Sequence, residues 1–101
     1  MKKALLLLCV TLNCLAAEPS AERQATLRHL LKNDCGACHG LTLKGGMGPA
    51  LLPGSLEGKA DEFLAATILN GRKGTPMPPW QPFMNHDEAL WLVGVLRKGK
   101  H

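Results

Sequence analysis

At 101 residues the chain has room for at most one domain. Its 12 basic and 8 acidic side chains leave a formal charge of +4, which falls to +2 without Lys2 and Lys3, too mild for a nucleic-acid binder with its clustered basic face. Two of its four cysteines, Cys9 and Cys14, fall near the N-terminus, so the remainder carries no disulfide framework.

Met1-Lys2-Lys3 is a short basic head, Ala4 to Leu15 is a mostly apolar run, and Ala16-Ala17 are small residues before Glu18-Pro19-Ser20. That order predicts a secretory signal peptide over 1–17 and export to the periplasm. The run is broken by Asn13 and falls short of the roughly 20 apolar residues of a membrane span. An uncleaved anchor is the alternative reading of the same pattern. A lipid-modified Cys9 or Cys14 is another, although Leu8 and Asn13 are poor small-residue substitutes before such a site. Removing 17 of 101 residues leaves 84, residues 18–101, as a single domain. With Lys2 and Lys3 gone, 10 basic residues face 8 acidic ones, a charge of +2, and only Cys35 and Cys38 remain. A domain of that size is marginal on its core alone and calls for a staple.

Three helices are expected. The first spans Ala21 to Lys32 with Ser20 as N-cap and apolar Ala21, Ala25, Leu27, Leu30 and Leu31 at helical spacing. The second spans Ala60 to Asn70, with a stripe of Phe63, Leu64, Thr67 and Ile68 and with Gly71 as a left-handed cap. The third spans His86 to Lys98, opened by an Asn85–Glu88 capping box and buried through Leu90, Val93 and Leu96. Gly94 offers a place for another helix to approach closely. Between the helices, 40–58 is rich in glycine. Residues 71–82 hold Pro76, Pro78, Pro79 and Pro82, which excludes helix and central strand. The expected class is all-α, with long loops that wrap something.

Cys35-Gly36-Ala37-Cys38-His39 is a C-x-x-C-H haem-attachment signature. Two thiols three residues apart can each form a thioether to one haem edge. The next residue, His39, then lies beneath the ring with its imidazole on the iron. Small Gly36 and Ala37 are expected to let the backbone turn tightly there. The competing readings are half a zinc site, which lacks a second cysteine pair, and a redox dithiol, which lacks a βαβ frame. One covalent haem c is the expected cofactor and the expected staple.

For the second axial position the choice is Met77, held between Pro76 and Pro78 38 residues after His39. A His/Met pair raises the reduction potential. A methionine that merely fills the core is the bland alternative, and Met47, Met84, His29, His86 and His101 are rivals. The Pro49 carbonyl, in Gly48-Pro49-Ala50-Leu51, is a candidate acceptor for the other ring N–H of His39. Arg72, Lys73 and Trp80 are candidate partners of the haem propionates. For Arg72 and Lys73 a solvated face is the alternative, and Trp80 is expected to pack on or beside the ring.

In this order of elements the chain resembles a class I cytochrome c: first helix, C-x-x-C-H, Gly-Pro-x-Leu loop, middle helix, Met loop, last helix. The resemblance implies first and last helices crossing near Gly94 and Met77 as distal ligand. Residues 35–46 and 75–80 are similar, more narrowly, to the NirC-type (cytochrome c55X) proteins of denitrification gene clusters. That likeness implies a periplasmic single-electron carrier, not an enzyme, serving other periplasmic redox proteins and among them cytochrome cd1 nitrite reductase. The alternative it carries is an accessory role in maturation of haem d1. A third class, an open-site haem enzyme or gas sensor, is disfavoured, since no His or Arg is placed as an acid–base partner. The expected docking face is apolar, from Ala37, Met47, Pro78, Pro79, Trp80 and Phe83, with Lys44 and Lys73 at its rim.

Overall fold

The computed structural model describes residues 18–100; the expected signal segment with Cys9 and Cys14, and also His101, lie outside the described residues. Along the chain run α1 (Ala21–Leu30), a π-helical turn (Leu31–Cys35), α2 (Gly36–His39), a 3₁₀ turn (Pro53–Leu56), α3 (Asp61–Asn70) and α4 (His86–Lys98). No strand occurs among the described residues. The class is all-α with three main helices and long loops, as the sequence predicts.

Ser20 starts α1 as an extended residue whose hydroxyl accepts from the Arg23 amide at 3.1 Å. Only Leu27 of α1 is fully buried, joined one turn later by Leu31; Ala21 and Ala25 of the expected stripe are exposed. The helix thus touches the core along one narrow row and lies otherwise in solvent. It meets α4 through longer side chains. Arg23 Nε donates to Glu88 Oε2 at 2.7 Å, and the Arg28 guanidinium lies 5.1 Å from the Trp91 ring centroid.

The helical path does not stop at Lys32. It widens into the π turn, where the Gly36 amide reaches back five residues to the Leu31 carbonyl, and then runs one α-turn further to His39. The Asn33 side chain donates to the His29 carbonyl at 2.9 Å inside this stretch. The C-x-x-C-H segment is therefore the end of a continuous helix, not the tight turn expected of it.

Ala60 caps α3 without a side-chain bond, and Asp61 and Glu62 place negative charge at its positive end. Opening α4 is the full capping box: Asn85 Oδ1 accepts from the Glu88 amide at 2.8 Å and Glu88 Oε1 from the Asn85 amide at 2.9 Å. Helices α3 and α4 form the most extensive pair. Arg97 clasps them by donating from Nε to Asp61 Oδ1 at 2.6 Å and from the rest of its guanidinium to the Leu56 and Lys59 carbonyls. Val93 and Leu96 are buried as predicted. Leu90 is only half-buried, and Ala89, Leu92 and Val95 complete the inner face. Gly94 is not a close crossing point, since a Cβ built there would meet nothing within 4 Å. The polar and cation–π contacts of Arg23 and Arg28 link α1 to α4 instead.

Candidate functional site

A cavity of about 670 Å³ opens between the α2 segment with its following loop and α3 with the Met77 loop. Protein interiors close-pack and leave few voids larger than a water molecule. A void this large, within the roughly 300–1,000 Å³ usual for ligand and cofactor pockets, is a binding site.

One wall comes from the C-terminal end of the first helical path. Cys35 and Cys38 are half-buried free thiols that both line the cavity. Burial, then the nearby Asp34 and Cys38, pushes the Cys35 thiol up to about 11. Redox-active and metal-binding cysteines have lowered values, because the thiolate is the reactive form. Burial thus disfavours the reactive thiolate at Cys35. Among the described residues no group of three His, Cys, Asp or Glu side chains is placed to hold a metal ion, so a zinc site lacks its donor set.

His39 ends α2, and the loop beyond folds back over it. The Gly48 and Gly45 amides donate to the Cys38 and His39 carbonyls, both at 2.8 Å, satisfying the last carbonyls of the helix. The His39 Nδ1 lies 2.6 Å from the Pro49 carbonyl oxygen. A carbonyl only accepts, so Nδ1 is the nitrogen that donates, and in the neutral ring the lone pair is then on Nε2. Gly48 makes this approach tight: a Cβ there would sit 2.9 Å from the imidazole ring. The ring is thus clamped between a bare backbone and a hydrogen bond, with one nitrogen free to ligate.

The facing wall comes from α3 and the segment after it. Phe63, Leu64, Thr67 and Ile68, predicted as a helix stripe, line the cavity and are not part of the sealed core. This explains why Phe63 stays 58% exposed while Ala65, on the other side, is fully buried against α4. The Met77 loop is tied at both ends. The Arg72 amide donates to the Met77 carbonyl at 3.2 Å, and the Trp80 and Gln81 amides donate to the Ile68 and Leu69 carbonyls at 3.0 and 3.1 Å. Thr75 closes the middle, its hydroxyl donating to the Arg72 carbonyl at 2.7 Å. Met77 is half-buried on this loop and lines the cavity.

The rivals to Met77 fall in different places. Met84 is 5% exposed within the hydrophobic core and does not reach the cavity. His29 is exposed on α1, and His86 Nε2 pairs with Glu62 Oε1 at 2.7 Å; neither lines the cavity. Met47 does line it but is 75% exposed, between glycines bound to the His39 wall. Arg72 and Trp80 line the cavity, and Lys73 does not. The Trp80 ring lies 5.5 Å from that of Phe83 at a 55° tilt. Sequence reasoning passed over Gly48, Phe63 and Lys59 as lining residues. For Gly48 the signal was the Gly-Pro pair itself; for Phe63 there was none beyond helix position, and for Lys59, in the loop before α3, there was none.

These residues fit a haem. The walls are mostly apolar, two thiols sit one turn apart, a histidine offers one free nitrogen, and a thioether projects from the other segment. Lys59 and Arg72 add positive charge for carboxylates.

Comparison with known proteins points the same way. The model of the family described as cytochrome C oxidase, cbb3-type, subunit III matches residues 22–94. The chain is 58% identical over 82 residues to the cytochrome c55X of Pseudomonas aeruginosa, covering 81% of this chain and 69% of that protein. It is 43% identical over 95 residues to the cytochrome c55X of Paracoccus denitrificans, covering 94% and 92%. The solved structure of the c-type cytochrome NirC superposes with a TM-score of 0.78 at 59% identity, over 80% of this chain and 95% of that one. Part of the dihydro-heme d1 dehydrogenase NirN in complex with DHE superposes at 0.63 and 36% identity, over 69% of this chain but 15% of that one.

Proposed function

The chain belongs to the cytochrome c55X, or NirC-type, family of small c-type cytochromes, and on that premise we propose that it is an exported single-electron carrier of the periplasm. Membership in this family brings one covalent haem c. In this reading Cys35 and Cys38 hold the haem as thioethers, His39 is the proximal ligand and Met77 the distal one. The bound haem iron supplies a one-electron couple. The protein's residues do the rest. The Pro49 carbonyl holds the His39 proton on Nδ1 and raises the basicity of the ring. Met77, a soft thioether, favours the reduced state and raises the potential. Held by both His39 and Met77, the haem would carry single electrons without offering a side for substrate, which supports a carrier over an enzyme.

The observation that carries this reading is the convergence of Cys35, Cys38, His39 and Met77 on one cavity, from two separately anchored segments. The surface around it suits brief encounters. Ala37, Met47, Pro78, Pro79 and Phe83 are exposed and Trp80 is half-buried, Met47, Pro78 and Trp80 lying in the cavity wall, with Lys44 and Lys73 also exposed. Redox encounters use small interfaces of this kind, and rim charges steer them in a salt-dependent way. Among the described residues no helix is long and apolar enough to cross a membrane.

The proposed partner is cytochrome cd1 nitrite reductase. Stopped-flow mixing of the reduced cytochrome with the oxidised reductase should give a rate in the usual range of about 10⁵–10⁷ M⁻¹s⁻¹ for protein association. A second reading, an accessory role in haem d1 maturation, is favoured by the likeness to a dihydro-heme d1 dehydrogenase. A rate of about 10³ M⁻¹s⁻¹ or less, far under the usual association range, argues for that role and against delivery to the reductase.

A further inference from the structure

Gly71 directly follows α3 with φ +71° and ψ −173°. The positive φ is the one the sequence predicts, but ψ is far from a left-handed helical cap. The reason lies in what passes over it. A Cβ at Gly71 would stand 2.7 Å from the Met77 carbonyl oxygen, 2.7 Å from the Pro78 carbonyl carbon and 2.8 Å from the Pro79 nitrogen. All three are backbone atoms, which cannot swing aside as a side-chain tip would. Next to this contact the Arg72 amide donates to the same Met77 carbonyl, and beyond Pro79 the Trp80 amide is bonded to Ile68. Residues 77–79 therefore rest on the bare backbone of Gly71.

We infer that Gly71 is a positioning residue for the Met77 thioether: its missing side chain is the seat of the Met77 carbonyl and sets how far Met77 reaches into the cavity. The inference rests on the reading of Met77 as distal ligand. Carbon atoms settle at about 3.5 Å or more, so a methyl at Gly71 displaces the 77–78 backbone by roughly 0.8 Å. Metal–ligand distances tolerate about 0.2 Å. The displacement is several times larger, so the sulfur must re-aim or leave.

A second glycine in the same loop separates crowding from backbone strain. Gly74 also has a positive φ, +80°, but a Cβ there meets nothing within 4 Å. Asn is favoured over Ala only in the left-handed helical region, which a ψ of −173° lies outside, so Gly71→Asn keeps both the strain and the clash and is read in the same way should Gly71→Ala fold poorly. Full-length, haem-loaded Gly71→Ala, Gly71→Asn, Gly74→Ala and Met77→Ala proteins are compared by the sulfur–iron charge-transfer band and by imidazole binding to the oxidised form. Both Gly71 variants should lose most of the band and bind imidazole about tenfold more tightly or better, which is about 1.4 kcal/mol. Gly74→Ala should stay within about twofold of the parent, under 0.5 kcal/mol on the same scale. Unchanged band and affinity in both Gly71 variants, or an equal loss in Gly74→Ala, overturns the role of Gly71. A band that survives Met77→Ala overturns the ligand assignment instead, and the role of Gly71 with it.

Discussion

Glu88 links three parts of the fold through one carboxylate, and its loss can be worked through in two parts. Oε1 accepts from the Asn85 amide at 2.9 Å and from Arg23 Nη2 at 3.2 Å, and Oε2 accepts from Arg23 Nε at 2.7 Å. Replacing a capping residue costs about 1 kcal/mol. The ion pair adds at most about 1 kcal/mol, because Arg23 is still a third exposed. Glu88→Ala should therefore cost about 1.5–2 kcal/mol at pH 7, or about 8–12 °C in Tm for a domain of this size. Glu88→Gln keeps an acceptor for the cap and should lose only the ion-pair share. The pH dependence then has a definite sign. The hydrogen bond from Arg23, opposed by burial, holds the Glu88 carboxyl below its ordinary value of 4.5. A carboxyl depressed in the folded state stabilises fully above its unfolded value, and that stability is lost as pH falls through the folded value. The gap between wild type and Glu88→Gln should be present at pH 7, shrink below about 4.5 and close at lower pH. Thermal unfolding of the haem-loaded proteins by circular dichroism, at neutral and acid pH, measures it. A Glu88→Gln deficit of the same size at both would refute the ion-pair account.

Two further outcomes bear on the site. Acid–acetone extraction should leave the haem on the polypeptide, and Cys38→Ala should weaken or abolish attachment; free haem in the solvent from the intact protein would refute the thioether reading. Gly48→Val should push the imidazole off the Pro49 carbonyl, since even a Cβ would lie 2.9 Å from the ring. The protected Nδ1–H resonance of His39 should vanish and the reduction potential rise as the ring loses basicity; a resonance that persists would show that the loop gives way instead.

The three helices were legible because each carries local signals. Ser20, and Asn85 with Glu88, mark starts that the structure uses as caps, and α4 spans the predicted residues. Of the candidate site, spacing singled out Cys35, Cys38 and His39 and the flanking prolines singled out Met77, and the structure brings all four to the lining of one cavity. What remained hidden depends on distant partners. Nothing local tells that the stripe of Phe63, Leu64, Thr67 and Ile68 faces a cavity and not a packed helix, because both ask for an apolar face. Gly71 reads as an ordinary helix stop until the Met77 carbonyl is seen above it. Gly94 reads as a contact and is open, since periodicity reports which face is inward and not how close the neighbour comes.

The π turn between α1 and α2 bears on how freely the attachment motif can be moved between proteins. A helical turn that spends one extra residue rotates everything after it by about 100° relative to a regular helix. Leu27 and Leu31 face the core before this turn, and Cys35, Cys38 and His39 line the cavity at and after it. The five-residue motif is thus not a portable cassette. Copied onto the end of a straight amphipathic helix, it would aim its thiols and imidazole about a quarter turn away from the pocket they need. The transferable unit begins no later than Leu27 and includes the exposed Lys32-Asn33-Asp34, whose length, more than their chemistry, encodes the aim of the site.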